Sequence, residues 1–187
     1  MHEPALIVGV RRTLSVALLA IGCRPAGDAD ARTAQKKPAT DECTISRIAD
    51  GDSLECGSAG RIRLLMIDAP ELAQGAAGRQ AQNALNKLAP AGTRVTIETD
   101  VRARDDYDRV LAYLYLPDGR MINEEMARSG FATSLVYPPN VKHAERIRDA
   151  VSEARQAKRG LWATDFFDCS PRDYRAGKCG GGSRRRR

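Results

Sequence analysis

The stretch "ISRIADGDSLEC", Ile45 to Cys56, reads as two short strands about a tight turn. β-Branched and alternating apolar residues flank Asp50 and Gly51, a pair that favours hairpin turns because glycine accepts a positive φ. A turn near Ala49 and Asp50 sets Cys43 directly across from Cys56. Asp52 follows the turn, and its carboxylate either caps that turn or holds something else.

Working outward, the runs 43–49, 53–56, "RIRLLMID" (61–68), "TRVTIETDV" (93–101) and "RVLAYLYL" (109–116) make five candidate strands, each bounded by Gly, Asp or Pro. Three helical patterns lie among them. "GRQAQNALNKLA" (78–89) puts Ala81, Leu85 and Leu88 on one face, "NEEMARSG" (123–130) stops at Gly130, and 143–160 spaces Ile147, Val151 and Ala154 helically before Gly160. Five strands and a few helices in this order suit an α+β domain, a small, partly closed barrel packed against helices. Trp162 and Phe131 are assigned to its core.

The first residues read as an export signal. Arg11 and Arg12 precede "TLSVALLAIG", an apolar run far short of the roughly 20 residues that span a bilayer. The cut is open: "LAIGC" makes Cys23 a lipid-anchor site as in bacterial lipoproteins, while "ADA" at 29–31 fits ordinary small-residue cleavage. The expected layout is a signal at 1–22, a polar tether at 23–42, a domain at 43–164 and an extension at 165–187. Export makes the product periplasmic, secreted or membrane-anchored.

In an oxidising compartment, four further cysteines suggest disulfides. Three pairings are possible; the hairpin favours Cys43 with Cys56, which leaves Cys169 with Cys179 closing a C-terminal loop. A structural metal is the weaker alternative, because no CxxC spacing occurs.

The formal charge of +6 is concentrated at the ends: Arg11, Arg12 and Arg184 to Arg187 hold it, and the body is almost neutral. A case for binding phosphates must rest on individual arginines, not bulk charge. With His2 in the signal, a Ser-His-Asp arrangement would need His143, which opens a helix and has no nucleophile motif beside it. There is no GxxxxGK[ST] loop. What the chain offers is carboxylates at strand ends, Asp52, Asp68 and Glu71, with strand arginines Arg63 and Arg109. Hard oxygens suit Ca²⁺ or Mg²⁺ and arginine forks suit phosphate oxygens, a combination that points to metal-assisted phosphodiester chemistry.

The segments "IADGDSLEC", "IRLLMIDAPE", "DDYDRVLAYLYLPDGRMINEEMARSGFA", "YPPN" and "AKRGLW" resemble, in order, those of the staphylococcal nuclease (thermonuclease) family, from about Ile45 to Trp162. That resemblance implies a five-stranded OB-fold β-barrel with three α-helices. It also implies a Ca²⁺-dependent endonuclease that cleaves DNA and RNA, single-stranded or locally open, to 3′-phosphate products. A monomer is expected.

On the same resemblance, Asp52 and Asp68 match calcium ligands, and Ala69, where the family usually has threonine, offers its backbone carbonyl. Glu71 matches the residue that activates the attacking water, either taking its proton or orienting a water the metal has ionised. Arg63 and Arg109 resemble the two arginines that grip the scissile phosphate, while Tyr107 and Tyr137 match contacts to nucleotide phosphate and sugar. Asp106 and Leu135 depart from the family, standing where a lysine and a tyrosine approach the substrate, which implies a weaker or redistributed grip.

Strict strand alternation puts Arg63 and Asp68, five positions apart, on opposite faces, so a bulge or sharp curvature is needed to reunite them. The hairpin-rim position of Asp52 predicts that its replacement spares the fold. Two other readings use the same barrel: a silent nucleic-acid-binding module, which needs no such acidic set, or an envelope interaction protein.

Overall fold

The computed structural model describes residues 41–179. The signal segment, Cys23, the tether up to residue 40 and the basic tail 180–187 lie outside the described residues.

Strands β1 (Asp41–Ile48), β2 (Ser53–Cys56), β3 (Gly60–Leu64), β5 (Arg94–Arg104) and β6 (Val110–Tyr115) form a closed barrel in the order β1-β2-β3-β6-β5. Closure is complete, not partial: β3 runs parallel to β6, with Arg63 beside Leu111, and β1 runs antiparallel to β5, with Cys43 beside Val95. A closed barrel leaves no unpaired edge for another chain to extend. The result is the α+β OB-type barrel that the sequence implied.

The hairpin register differs from the symmetric one. Ile45 pairs with Cys56 and Ile48 with Leu54, with a bulge between Ile45 and Arg47, so the burial sequence Cys43, Ile45, Ile48 changes parity in mid-strand. Cys43 and Cys56 are therefore diagonal neighbours, and they are nonetheless bonded, with Cα atoms 5.7 Å apart. Cys169 and Cys179 form the second disulfide.

Gly51 has a reason to be glycine other than positive φ, which it does not adopt. A Cβ there would lie 2.6 Å from the Ala69 Cβ and 2.7 Å from the Ala81 Cβ. Its bareness lets the turn press against helix α1 (Ala76–Leu88), which buries Ala77, Ala81 and Leu85.

The third candidate strand breaks in two. After Leu64 the chain turns through Leu65 and Met66, the latter at φ 66°, and resumes as β4 (Ile67–Asp68), which pairs with β7 (Thr133–Ser134). This break is what resets the side-chain parity between Arg63 and Asp68. Helices α2 (Ile122–Arg128) and α3 (Ala144–Gln156) follow the predicted patterns. Ile147, Ala150 and Ala154 supply the buried face of α3, while Val151 only packs partly against the core.

A fourth, short helix α4 (Pro171–Arg175), not anticipated, lies inside the Cys169–Cys179 loop. Ser170 caps it by accepting from the Asp173 N–H at 3.1 Å, and Pro171 stands at its first position. Trp162 is half-buried, stacked on Phe167 with ring centroids 4.3 Å apart, and Phe131 packs partly against the core.

Candidate active site

A cleft of about 640 Å³ opens where the β1–β2 turn, β3 and the β5–β6 loop meet, and its wall includes Asp52, Arg63, Glu71, Arg109, Tyr107 and Tyr137. Asp68 stands behind that wall at 1% exposure.

The inner cluster is built from backbone as much as from side chains. Asp52 is 5% exposed. Its Oδ2 accepts the Ala69 N–H at 2.8 Å and faces Arg63 Nη2 at 2.9 Å, while its Oδ1 accepts the Ser53 hydroxyl at 3.1 Å. Arg63 Nη1 donates to the carbonyls of Leu64 at 2.6 Å and Ile67 at 2.9 Å, so one guanidinium staples the two sides of the Leu65-Met66 break. Its Nη2 also stands 3.5 Å from Asp68 Oδ1. The break and the arginine together join Asp52, Asp68 and Ala69 in one corner.

Glu71 is placed by its chain neighbours. Its N–H donates to Gln74 Oε1 at 2.9 Å, and a Cβ on Gly78 would lie 2.1 Å from its carbonyl oxygen, so only glycine lets α1 approach there. Its carboxylate pairs with Arg175 Nη1 at 2.7 Å. Asp50, read from sequence as a turn former, accepts the Asp52 N–H at 3.0 Å and also lines the cleft. Burial and then the neighbouring Asp52 charge push its carboxyl up to about 6. Burial likewise raises Asp68, although Arg175 and Arg63 pull the other way.

The outer cluster is a polar loop. Asp105 Oδ1 accepts the N–H groups of Tyr107 and Arg109, both at 3.0 Å, and its Oδ2 accepts Arg109 Nε at 2.7 Å. Among the described residues, the terminal nitrogens of Arg109 make no hydrogen bond. Tyr107 is 72% exposed, with the Arg109 guanidinium 5.6 Å from its ring centroid and its carbonyl held by Arg61 at 2.6 Å. Buried Asn140 exchanges two hydrogen bonds with the Arg102 backbone and so moors the segment carrying exposed Tyr137. Leu135 lines the same cleft. Asp106, expected to repel phosphates, is paired with Arg102 at 2.5 Å, so its charge is locally offset.

The donor chemistry suits a hard cation. Asp68 Oδ2 is buried and has no hydrogen-bond partner, an orphan whose burial is costly unless something positive faces it. Among the described residues no three His, Cys, Asp or Glu side chains converge at ligand spacing, so two carboxylates would need a backbone carbonyl and water to complete a shell. Such mixed oxygen shells are ordinary for calcium, and the residues present fit it.

Sequence reasoning missed Asp50 as a cleft acid, Asp105 as the partner of Arg109, and Arg175 altogether. The first two lay beside residues already singled out. Arg175 meets its partners across 104 and 107 positions, and only its place inside the predicted C-terminal disulfide loop hinted at it.

Barrel, helices and cleft define an OB-fold domain that confronts buried carboxylates with arginine forks. Residues 61–164 match the family described as Staphylococcal nuclease homologue. The chain is 33% identical over 139 residues to the thermonuclease of Staphylococcus intermedius, covering 68% of this chain and 82% of that one. Against the thermonuclease of Staphylococcus hyicus it is 31% identical over 127 residues, 64% of this chain and 74% of that one. It is also 39% identical over 123 residues to an uncharacterized endonuclease of Escherichia coli, 64% of this chain and 75% of the relative. The chain belongs to the staphylococcal nuclease family.

Proposed function

We propose that the protein is an exported, calcium-dependent endonuclease that hydrolyses phosphodiester bonds of DNA and RNA and leaves 3′-phosphates. The observation that carries this reading is the convergence of Asp52, Arg63, Glu71 and Arg109 on one cleft, with Asp68 directly behind it, in a chain of this family. A module that only bound nucleic acid would gain nothing from burying carboxylates beside phosphates.

Asp52, Asp68 and the Ala69 carbonyl would hold the calcium ion. Bound there, calcium supplies positive charge beside the phosphate and makes a nearby water easier to ionise. Glu71 takes a proton from the attacking water at a carboxylate oxygen. Arg109, with Nε committed to Asp105, turns its two terminal nitrogens to phosphate oxygens whose charge grows in the transition state. Arg63 keeps the paired carboxylates from repelling the incoming phosphate. Tyr107 and Tyr137 meet the neighbouring phosphate and sugar at the rim.

Denatured DNA and RNA incubated with the purified protein should be degraded in calcium and spared in chelator. Hydrolysis that persists in chelator overturns the calcium assignment; binding without hydrolysis overturns the enzyme. The two disulfides and the signal-like N-terminus support export. The mass of the mature N-terminus separates lipid anchoring at Cys23 from release after residue 31.

A further inference from the structure

Arg175 reaches this acidic corner from the C-terminal side of residues 61–164, the part that matches the family. Its Nη2 stands 2.7 Å from Asp68 Oδ1 and its Nη1 stands 2.7 Å from Glu71 Oε1, so a single fork bridges two carboxylates. We propose that Arg175 is a positioning residue of the active site, delivered by the disulfide-closed C-terminal loop to fix the orientation of Asp68 and Glu71. This rests on the reading of Asp68 as a calcium ligand and Glu71 as the base.

The geometry favours positioning over blockade. Arg175 takes only Oδ1 of Asp68, and the buried Oδ2 is left without a partner. A cation and the guanidinium therefore need not compete for the same oxygen, and the pairing decides which oxygen a cation meets. Metal-binding carboxylates are commonly oriented in this way by partners on their other oxygen. Glu71 has three side-chain torsions and a side chain 38% exposed, and besides a capping contact with the Gln74 N–H its carboxylate meets only Arg175 among the described residues.

The loop that carries Arg175 is tied down at several points. The Cys169–Cys179 bond closes it, Ser170 caps α4, and the Tyr174 hydroxyl donates to the Ala73 carbonyl at 3.4 Å, two residues past Glu71. One turn earlier on α4, the Arg172 guanidinium lies 6.0 Å from the ring centroid of Tyr137. Two arginines of one short helix thus face two parts of the same cleft.

The test uses Arg175→Lys, which keeps the charge but lacks the fork whose two terminal nitrogens meet the two carboxylates separately, and the double variant Cys169→Ser/Cys179→Ser, which unties the loop. Calcium affinity is measured by titration calorimetry without nucleic acid, and kcat and KM on a short single-stranded oligonucleotide. Arg175→Lys should weaken calcium binding by about tenfold or more and lower kcat with little change in KM. The untied loop should shift both quantities in the same direction by less. Calcium affinity and kcat equal to those of the unmodified protein would make Arg175 a surface ion pair, and tighter calcium binding would make it a competitor; either overturns the proposal. If the unmodified protein neither binds calcium nor cleaves, the nuclease reading fails first.

Discussion

Arg63 and Arg109 line one cleft and carry the same side chain, yet their surroundings differ. Arg63 is 14% exposed and both its terminal nitrogens are occupied, by two backbone carbonyls and two carboxylates. Arg109 is 31% exposed and is held only through Nε, with its terminal nitrogens free among the described residues. The first is part of the architecture of the corner, and the second is presented to whatever enters. A family resemblance assigns both to phosphate, but the hydrogen bonds separate a group that organises charge from one that can contact the substrate without first breaking its own contacts.

The largest effect should follow from breaking the inner cluster. Asp52→Ala leaves Arg63 facing a gap and the Ala69 N–H unpaired in a buried corner. It should abolish calcium-dependent hydrolysis and also destabilise the fold by about 3 kcal/mol, the lower end of the cost of halving a buried ion pair. The sequence-based expectation that the fold is spared rested on a hairpin-rim position, whereas Asp52 is 5% exposed in a buried corner. Urea unfolding of the variant checks this, and an unchanged midpoint would mean that the corner is stabilised by something else.

Exchanging each arginine for lysine sharpens the contrast. Arg109→Lys should cut turnover by about a hundredfold, equivalent to about 2.7 kcal/mol, because lysine lacks the two-pronged fork. Its unfolding free energy should hold to within about 0.5 kcal/mol, as for most surface substitutions. Arg63→Lys should lose activity too, but with a clear drop in stability, since one ammonium cannot span the Leu64 and Ile67 carbonyls as well as Asp52. Equal stability losses in the two variants would erase the distinction.

This contrast also marks what the sequence could and could not express. The five strands, the main helices and both disulfide pairs follow from periodicity, turn residues and cysteine spacing. The spacing of Arg63 and Asp68 calls for a bulge or sharp curvature between them but does not place it at Leu65-Met66, because an unbroken apolar run carries no turn signal and the kink is held by Arg63, a side chain outside the turn itself. Gly51 was legible as glycine but not for its reason, which is the approach of Ala69 and Ala81 from elsewhere in the chain. Among the site residues, those on the hairpin and strands were readable. Arg175 was not, since nothing local records a contact 107 positions away.

Reducing the disulfides should act unevenly on the two clusters. The Cys43–Cys56 bond ties β1 to β2 beside the turn that carries Asp52, and its loss should lower stability by about 2 to 4 kcal/mol. The Cys169–Cys179 bond closes a separate loop, so Cys169→Ser/Cys179→Ser should leave the barrel's unfolding midpoint nearer to that of the unmodified protein. Thermal unfolding of Cys43→Ser/Cys56→Ser beside that variant measures the difference, and equal losses would show that the loop is integral to the barrel.

The smallest effect concerns how Arg109 is held before substrate arrives. Burial alone would push the Asp105 carboxyl up, but the Arg109 N–H, the Arg109 guanidinium and the Tyr107 N–H outweigh it and hold it below the usual carboxylate range. A carboxylate whose value falls on folding stabilises the fold above its unfolded value, about 3.9, and that contribution disappears as the pH drops through the lower folded value. Asp105→Asn retains an oxygen for the Tyr107 and Arg109 N–H groups but puts an NH2 where Oδ2 accepted from Nε, so the charge and that one hydrogen bond are both lost. Because the pair is partly exposed, the change at pH 7 should stay below about 1 kcal/mol. Urea midpoints from pH 7 to pH 3 should therefore fall less steeply at the acid end for the variant than for the unmodified protein. Turnover should decline only a few-fold, as Arg109 keeps its fork and loses one anchor. Parallel acid limbs in the two proteins would mean that the Asp105 carboxylate contributes nothing through its charge, and Arg109 would then be placed by the turn alone.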